Sequence, residues 1–542
     1  MENKNTFVAL ALVLFLWTAY SIMFPPQGPP QNSHVEQINK SPDTSNEVAP
    51  EILIEETETS PALPPISQSV TVTESREITV ENNFWLAVFT SDGGTLVSFE
   101  LKDYKEEQSV DSSSVHLISA ETLNEPALQL RGVDGFDISV DLPMQANFSG
   151  DLLTVSQGET AELIFSSVTP SGLHLEKVYR FIGDRYPFEL TTRLTNLDTS
   201  IVRRGHLDFS MGTYWDPDQG GGQFEFVGPV TWLDSDLQTD DVSDLEEQMI
   251  TYPSQAMWSG FTNKYFVSSV IPVNTPFNQL QLSVDQQIVH NTFVGKEMTL
   301  SPGATATQSY LLYYGPRDVD ILKSVGHQLD QVIDFGFFHL LAGPLLHTLR
   351  LFHDFFGNYG VSIIVLTVII KLLFWPLTQK SYVSMKAVQK LQPEMQKLRE
   401  RFKNDRDRMN REIMELYKKH RVNPLGGCLP MLIQIPVFFA LYQVLLNSIE
   451  LRHAPFVFWL TDLSAKDPYY VTPLIMGATM FIQQKMTPTT MDPAQAKIFM
   501  MMPIVFTFLF LNFPSGLVIY WLINNLLTIL QQYLINRPSA AS

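Results

Sequence analysis

Lys371 lies within residues 357–377, GNYGVSIIVLTVIIKLLFWPL. This apolar run is long enough to cross a bilayer, which takes about 20 mostly apolar residues. An ammonium group at the middle of a membrane helix costs about 2.5–3.5 kcal/mol on insertion scales. Such a residue faces a bundle interior or a wet cavity, which marks a functional site. Its chemistry there is electrostatic: it draws in an anionic or acceptor-bearing group that hydrocarbon alone would exclude. The alternative is snorkelling. Lys371 precedes Leu377 by six residues, about 9 Å of helix, which a long side chain partly bridges.

Other polar residues recur in the apolar stretches: Thr367, Gln434, Gln443, Asn447, Thr507, Asn524 and Asn525. Singly, each serves as an interhelical hydrogen bond worth about 0.6 kcal/mol. Together with Lys371, several of them line one wet cavity. No Asp or Glu lies deep in these stretches. A coupled pump or ion-driven transporter needs such carboxylates for its relay.

The elements that must position these residues are apolar spans. Residues 6–24 read as an uncleaved signal anchor, because no small-x-small cleavage site follows. The second span is 357–377, and four more follow at about 427–449, 469–484, 498–513 and 515–535. The tight Phe513–Pro514–Ser515–Gly516 turn makes the last two an antiparallel pair. Residues 334–356 carry His347, Arg350 and Asp354 on one helical face, with Leu345, Leu346, Leu349 and Phe352 opposite. That pattern suits a helix lying in the interface plane, although Gly343–Pro344 interrupts it.

Charge fixes the expected topology. Residues 25–330 hold 44 Asp+Glu against 15 Lys+Arg, which argues against a nucleic-acid partner there. Residues 381–421 hold 12 Lys+Arg against 6 Asp+Glu, so the positive-inside rule puts them in the cytoplasm. Six crossings from a cytoplasmic N-terminus then leave the acidic part outside and the C-terminus inside. The basic part reads as a helical hairpin turning at Asn404–Asp405, with Leu391, Met395, Leu398 and Phe402 on one arm. Its charge serves anionic headgroups, ribosomal RNA or solubility.

Residues 25–69 hold nine prolines and few apolar residues, so they read as a disordered linker. Residues 70–330 alternate with period 2 between Gly, Asn, Asp and Pro turns, as in an antiparallel all-β sandwich. Neither Asp216 and Asp218 with the following glycines nor the cluster Asp234, Asp236, Asp240, Asp241, Asp244 has EF-hand spacing. Both read as solvated loops. Cys428 is the one cysteine, which excludes an internal disulfide. The expected organisation is thus 1–24 anchor, 25–69 linker, 70–330 β-sandwich, 331–356 interfacial helix, 357–378 second span, 379–424 basic hairpin, 425–536 four spans and 537–542 tail.

The run NPLGGCLPMLIQIP at 423–436 with Ala440–Leu441–Tyr442 resembles the YidC family of membrane protein insertases. So do Asp462–Leu463–Ser464, Asp467–Pro468–Tyr469–Tyr470, KMTPTT at 485–490 and FPSGLVIYW at 513–521. The resemblance covers the whole chain and is strongest in 357–535. It implies the Gram-negative form, whose outer domain is a mutarotase-like supersandwich without enzyme activity. It also implies a hydrophilic groove within the inner half of the membrane, closed to the outside, with one basic residue. Lys371 stands at that position, where relatives usually carry Arg, and Tyr520 also matches. Trp521 stands where a second aromatic, Tyr, is common.

The implied groove set is Lys371, Thr367, Gln434, Tyr520, Trp521 and Asn524. The implied recruitment set is Lys386, Lys390, Lys397, Arg399 and Arg401 on the hairpin. Implied partners are nascent membrane proteins, the Sec translocon, the ribosome or signal recognition particle with its receptor, and anionic lipids, but no DNA. The location implied is the bacterial inner membrane. No cofactor and no ATP are implied, as GxxxxGK[ST] is missing. The tail after Ile535 has only Arg537 as a base, which weakens the ribosome contact. The rival readings are a small-molecule transporter or channel, which predicts inverted repeats or intramembrane carboxylates, and a carbohydrate-acting β domain on an anchor.

Overall fold

The computed structural model describes residues 75–109, 111–123, 125–217, 226–335, 338–402, 405–420, 422, 429–487 and 493–536. The anchor, the linker, the tail, Cys428, and residues 423–428 and 488–490 of the quoted motifs lie outside these.

The described residues 75–316 are mainly β. Period-2 patterning is clearest in Phe188–Asn196, where Phe188, Leu190, Thr192, Leu194 and Asn196 are buried and the residues between them are not. This strand is central to a nine-stranded sheet, flanked by Leu173–Ile182 and Thr305–Pro316, with all neighbours antiparallel. Two smaller sheets, of five and six strands, pair within themselves. One parallel pair, Glu77–Glu81 with Leu152–Thr154, departs from the antiparallel expectation.

Aromatic rings join the sheets. Phe99 of the five-stranded sheet lies 5.0 Å from Tyr314, and Phe209 of the six-stranded sheet stacks 4.2 Å from Tyr310. Tyr310 and Tyr314 alternate inward on the same strand, so both smaller sheets cover one face of the large one. The result is a wide sandwich with one continuous core.

Two polar residues in that core were not legible from patterning. The fully buried Lys177 ammonium donates to the carbonyls of Gly93 at 2.8 Å, Gly94 at 3.2 Å and Leu128 at 3.1 Å. It thereby ties the Gly93–Gly94 turn to the segment at Leu128, and all three of these residues take positive φ. Burial pulls its pKa down to about 7. Asp240, expected in a solvated loop, is instead buried and accepts the Tyr252 hydroxyl at 2.9 Å. Burial raises its pKa to about 6.

The second half is helical. In chain order the helices are α1 Val242–Glu247 and α2 Val319–Val325 in the β half, then α3 His339–Phe356, α4 Tyr359–Lys390, α5 Gln392–Arg401, α6 Arg406–Lys419, α7 Leu429–Asn447, α8 Val471–Met486, α9 Pro493–Phe510 and α10 Ser515–Asn536. Among the described residues, α4 and Ser515–Ile535 of α10 are long and apolar enough to cross a bilayer, and Gln434–Asn447 and Met500–Phe510 are shorter apolar helices.

Two boundaries differ from the sequence reading. Gly343–Pro344 does not break α3, because Pro344 lies in its second turn and forfeits a single backbone bond. The helix begun by the second span does not end at Leu377 either. It runs through Pro376 to Lys390 as 32 residues, about 48 Å. The Thr378 hydroxyl donates to Phe374 O and Trp375 O just past the proline. The hairpin is therefore α5 and α6, packed with the end of α4 through Val388, Leu391, Met395 and Tyr417.

Candidate functional site

The helices invert the polarity of a soluble bundle. Large apolar side chains point outward: Leu372 and Leu373 on α4, Leu474 and Ile475 on α8, Val505 and Phe508 on α9, Leu526 and Leu530 on α10. Polar ones point inward: Thr367, Lys371, Thr378 and Ser381 on α4, and Asn525, Thr528, Gln531 and Gln532 on α10. Contiguous exposed apolar faces of this extent belong in an apolar solvent.

Lys371 is 6% exposed. Its Nζ donates to Thr528 Oγ1 at 2.7 Å and lies 3.4 Å from Asn524 Oδ1. Gln434 Nε2 of α7 donates to the same Asn524 oxygen at 2.9 Å. The Gln434 side chain also engages the Tyr520 hydroxyl. The ammonium of α4 therefore has two neutral acceptors on α10, one of them shared with Gln434 of α7, and no carboxylate in salt-bridge range among the described residues.

Of the residues singled out from sequence, Lys371, Gln434, Asn524 and Tyr520 come together. Trp521 lies beside them in an aromatic cluster, 4.8 Å from Phe438 and 5.2 Å from Phe510, and its buried Nε1 has no partner. Thr367 is on the Lys371 face one turn earlier, but its hydroxyl donates to Ile363 O of its own helix at 2.6 Å. Asn447 and Thr507 likewise bond within their helices, to Gln443 and Pro503. On the hairpin side, Lys390, Lys397 and Arg401 are exposed, and Lys386 and Arg399 are half-buried.

Sequence reasoning missed Thr528, Gln531, Gln532 and Thr378. Gln531 Nε2 donates to Thr378 Oγ1 at 2.7 Å, Gln532 Nε2 donates to Thr487 Oγ1 at 2.9 Å, and Gln532 also meets Tyr382. The signal was present: Asn524, Thr528 and Gln531 follow i, i+4, i+7 on α10, as do Asn525 and Gln532 at i, i+7.

The end of the bundle nearer the β domain is closed by residues 448–470. Leu451, Leu460 and Leu463 of this loop are buried in the helical core beside Ile363 and Leu517. Gly516 N donates to Leu463 O at 2.9 Å, and Asn358 Nδ2 reaches Pro455 O and Phe456 O at 3.2 Å each. Asp467 accepts Trp459 Nε1 and the Thr472 hydroxyl and amide. Burial alone would raise that carboxyl, but these bonds outweigh it and hold it below the usual range.

The same end docks on the β domain. Arg350 of α3 bridges Asp318, Asp320 and Glu450. Arg452 donates to Glu106 O and lies over Tyr265 and Phe266. Alpha-helix α3 buries Ala342, Leu346 and Leu349 and exposes Leu340, Leu351 and Phe355 along its other side.

The Lys371 ammonium is thus held by neutral partners inside a bundle with apolar flanks, one end of which is closed by residues 448–470. Two family models match the chain: "60Kd inner membrane protein" over residues 351–541 and "YidC periplasmic domain" over residues 77–348. A protein of Geotalea daltonii named Membrane protein insertase YidC is 43% identical over 99% of this chain and 100% of its own length. Its counterpart in Geobacter metallireducens is 44% identical over 100% and 99%. The chain belongs to the YidC family of membrane protein insertases. Among solved structures, an active YidC insertase is 18% identical, covering 85% of this chain and 93% of its own, with a TM-score of 0.36. A galactose mutarotase-like protein from Lactobacillus casei is 11% identical, covering 44% and 100%, with a TM-score of 0.33.

Proposed function

We propose that this protein inserts nascent membrane proteins into the bacterial inner membrane through a polar groove centred on Lys371. The observation that carries this reading is the Lys371 ammonium, buried between α4, α7 and α10 with only neutral partners. Those partners are exchangeable. A carboxylate of an entering segment outcompetes them, whereas a resident Asp or Glu would hold the cation fast.

In this reading Lys371, Gln434, Tyr520, Trp521 and Asn524 form the groove, and Thr367 packs behind it. The groove shortens the hydrocarbon barrier for a polar segment. The guest's apolar segment then leaves sideways into lipid by the hydrophobic effect, which requires neither nucleotide nor enzymatic chemistry.

The topology proposed has six crossings, both termini in the cytoplasm and the β domain in the periplasm. The α5–α6 hairpin is cytoplasmic, and Lys386, Lys390, Lys397, Arg399 and Arg401 gather substrate or anionic lipid at the groove mouth. Alpha-helix α3 lies in the outer interface with Leu340, Leu351 and Phe355 in lipid. The Sec translocon, and the ribosome or signal recognition particle with its receptor, are the proposed partners. Depletion of the host's own insertase, complementation with this chain and pulse-labelling of a short single-span substrate tests the reading. Rescue by the wild-type chain and loss with Lys371→Ala support it; full activity of the Ala variant removes Lys371 from the mechanism.

A further inference from the structure

The polar contacts do not stop at Lys371. Alpha-helices α4 and α10 run in the same direction, and their facing polar residues form a ladder: Lys371 with Asn524 and Thr528, then Thr378 with Gln531, then Tyr382 with Gln532. From Lys371 to Tyr382 this spans about 16 Å of helix, on the side away from the sealed outer loop. Gln531 and Gln532 are 0% and 2% exposed. Each donates its amide nitrogen, to Thr378 and Thr487, yet each leaves a buried Oε1 with no partner among the described residues. A buried carbonyl without a donor is costly. Two of them, consecutive in sequence on one ladder, are open to the donors that an entering polypeptide would bring.

We propose that the α4–α10 seam inward of Lys371 is a second substrate-contact site, where the Gln531 and Gln532 side-chain carbonyls accept main-chain N–H groups of an extended polypeptide. This rests on the insertase reading above but assigns a separate site. Lys371 takes the guest's acidic or carbonyl oxygens, while the two glutamines take its N–H groups, which a cation cannot bind. The seam parts to admit the segment, and the Thr378 and Thr487 hydroxyls keep the bonds they already donate to their own helices, to Phe374 O and Trp375 O and to Gln483 O.

The test is the Gln531→Leu/Gln532→Leu double variant in the full-length protein, assayed in vivo beside Lys371→Ala. Two single-span substrates are compared, one with a long polar translocated segment and one with a minimal one. Two neutral hydrogen bonds lost together predict an insertion rate about 30-fold lower for the first substrate. The second substrate, the protein's abundance and its thermal midpoint should stay unchanged, because leucine keeps the volume. Unchanged insertion of the polar-segment substrate overturns the proposal, as does an equal loss for both substrates with a lowered midpoint, which marks the glutamines as packing. A defect in Lys371→Ala with none in the double variant sinks this inference alone. No defect in either sinks the groove reading too.

Discussion

Replacing Lys371 with methionine separates the cation's role in insertion from its role in folding. In the resting protein the ammonium has two neutral partners. Net hydrogen-bond contributions are about 1 kcal/mol, and removing a buried charge recovers desolvation energy. Lys371→Met should therefore leave the thermal midpoint within a few degrees of wild type. With an acidic guest the balance changes. An ammonium and a carboxylate about 4 Å apart at an effective dielectric constant of about 20 attract by about 4 kcal/mol. Displacing Thr528 and Asn524 from the charged group costs about 2 kcal/mol. The remaining ~2 kcal/mol corresponds to about a 30-fold change in occupancy. In pulse-labelled cells, a substrate with an acidic translocated segment should insert that much more poorly, and its neutralised counterpart should be little affected. Lys371→Arg should retain most activity, because the charge stays. Equal losses for acidic and neutral substrates, or a collapse of stability, would refute the electrostatic reasoning.

Arg350→Ala should loosen the β domain from the helices, since it strands Glu450 and Asp318 together; limited proteolysis near residues 317–338 should accelerate, and Arg350→Lys should restore only part of the protection because it lacks the planar fork. Gly360→Ala places a methyl against the Phe456 ring, which should lower stability by about 1–3 kcal/mol and unseat the outer loop, read as a lower thermal midpoint. Asp240 favours its protonated form in the fold, with a pKa raised to about 6 against 3.8 for the free side chain. Its contribution to stability is thus full below about pH 4 and lost as pH rises through 6. Asp240→Asn should flatten the pH dependence of the midpoint across that window.

Much of the site was legible because membrane helices make polar residues conspicuous. Lys371, Gln434 and Asn524 stood out against apolar neighbours, and they meet. The ladder beyond them was missed because Gln531 and Gln532 lie near the end of α10, where polar residues read as the helix leaving the membrane. The hydroxyl of Thr367 bonds within α4, since a threonine in a helix has its own backbone carbonyl within reach. In the β half, alternation exposed the strands but not Lys177 or Asp240. Their partners are carbonyls and a tyrosine distant in sequence, which no local pattern reports. Pro344 looked like a break, yet it removes a single backbone bond from a helix that packing holds together.

The most direct measurement is sided thiol labelling in a Cys428→Ser background, with single cysteines at Asn524 and Leu373. A membrane-impermeant maleimide should reach position 524 from the cytoplasmic side only, and position 373 from neither side. Labelling of position 524 from the periplasm, or equal protection of both positions from each side, would contradict a polar groove open inward and sealed outward.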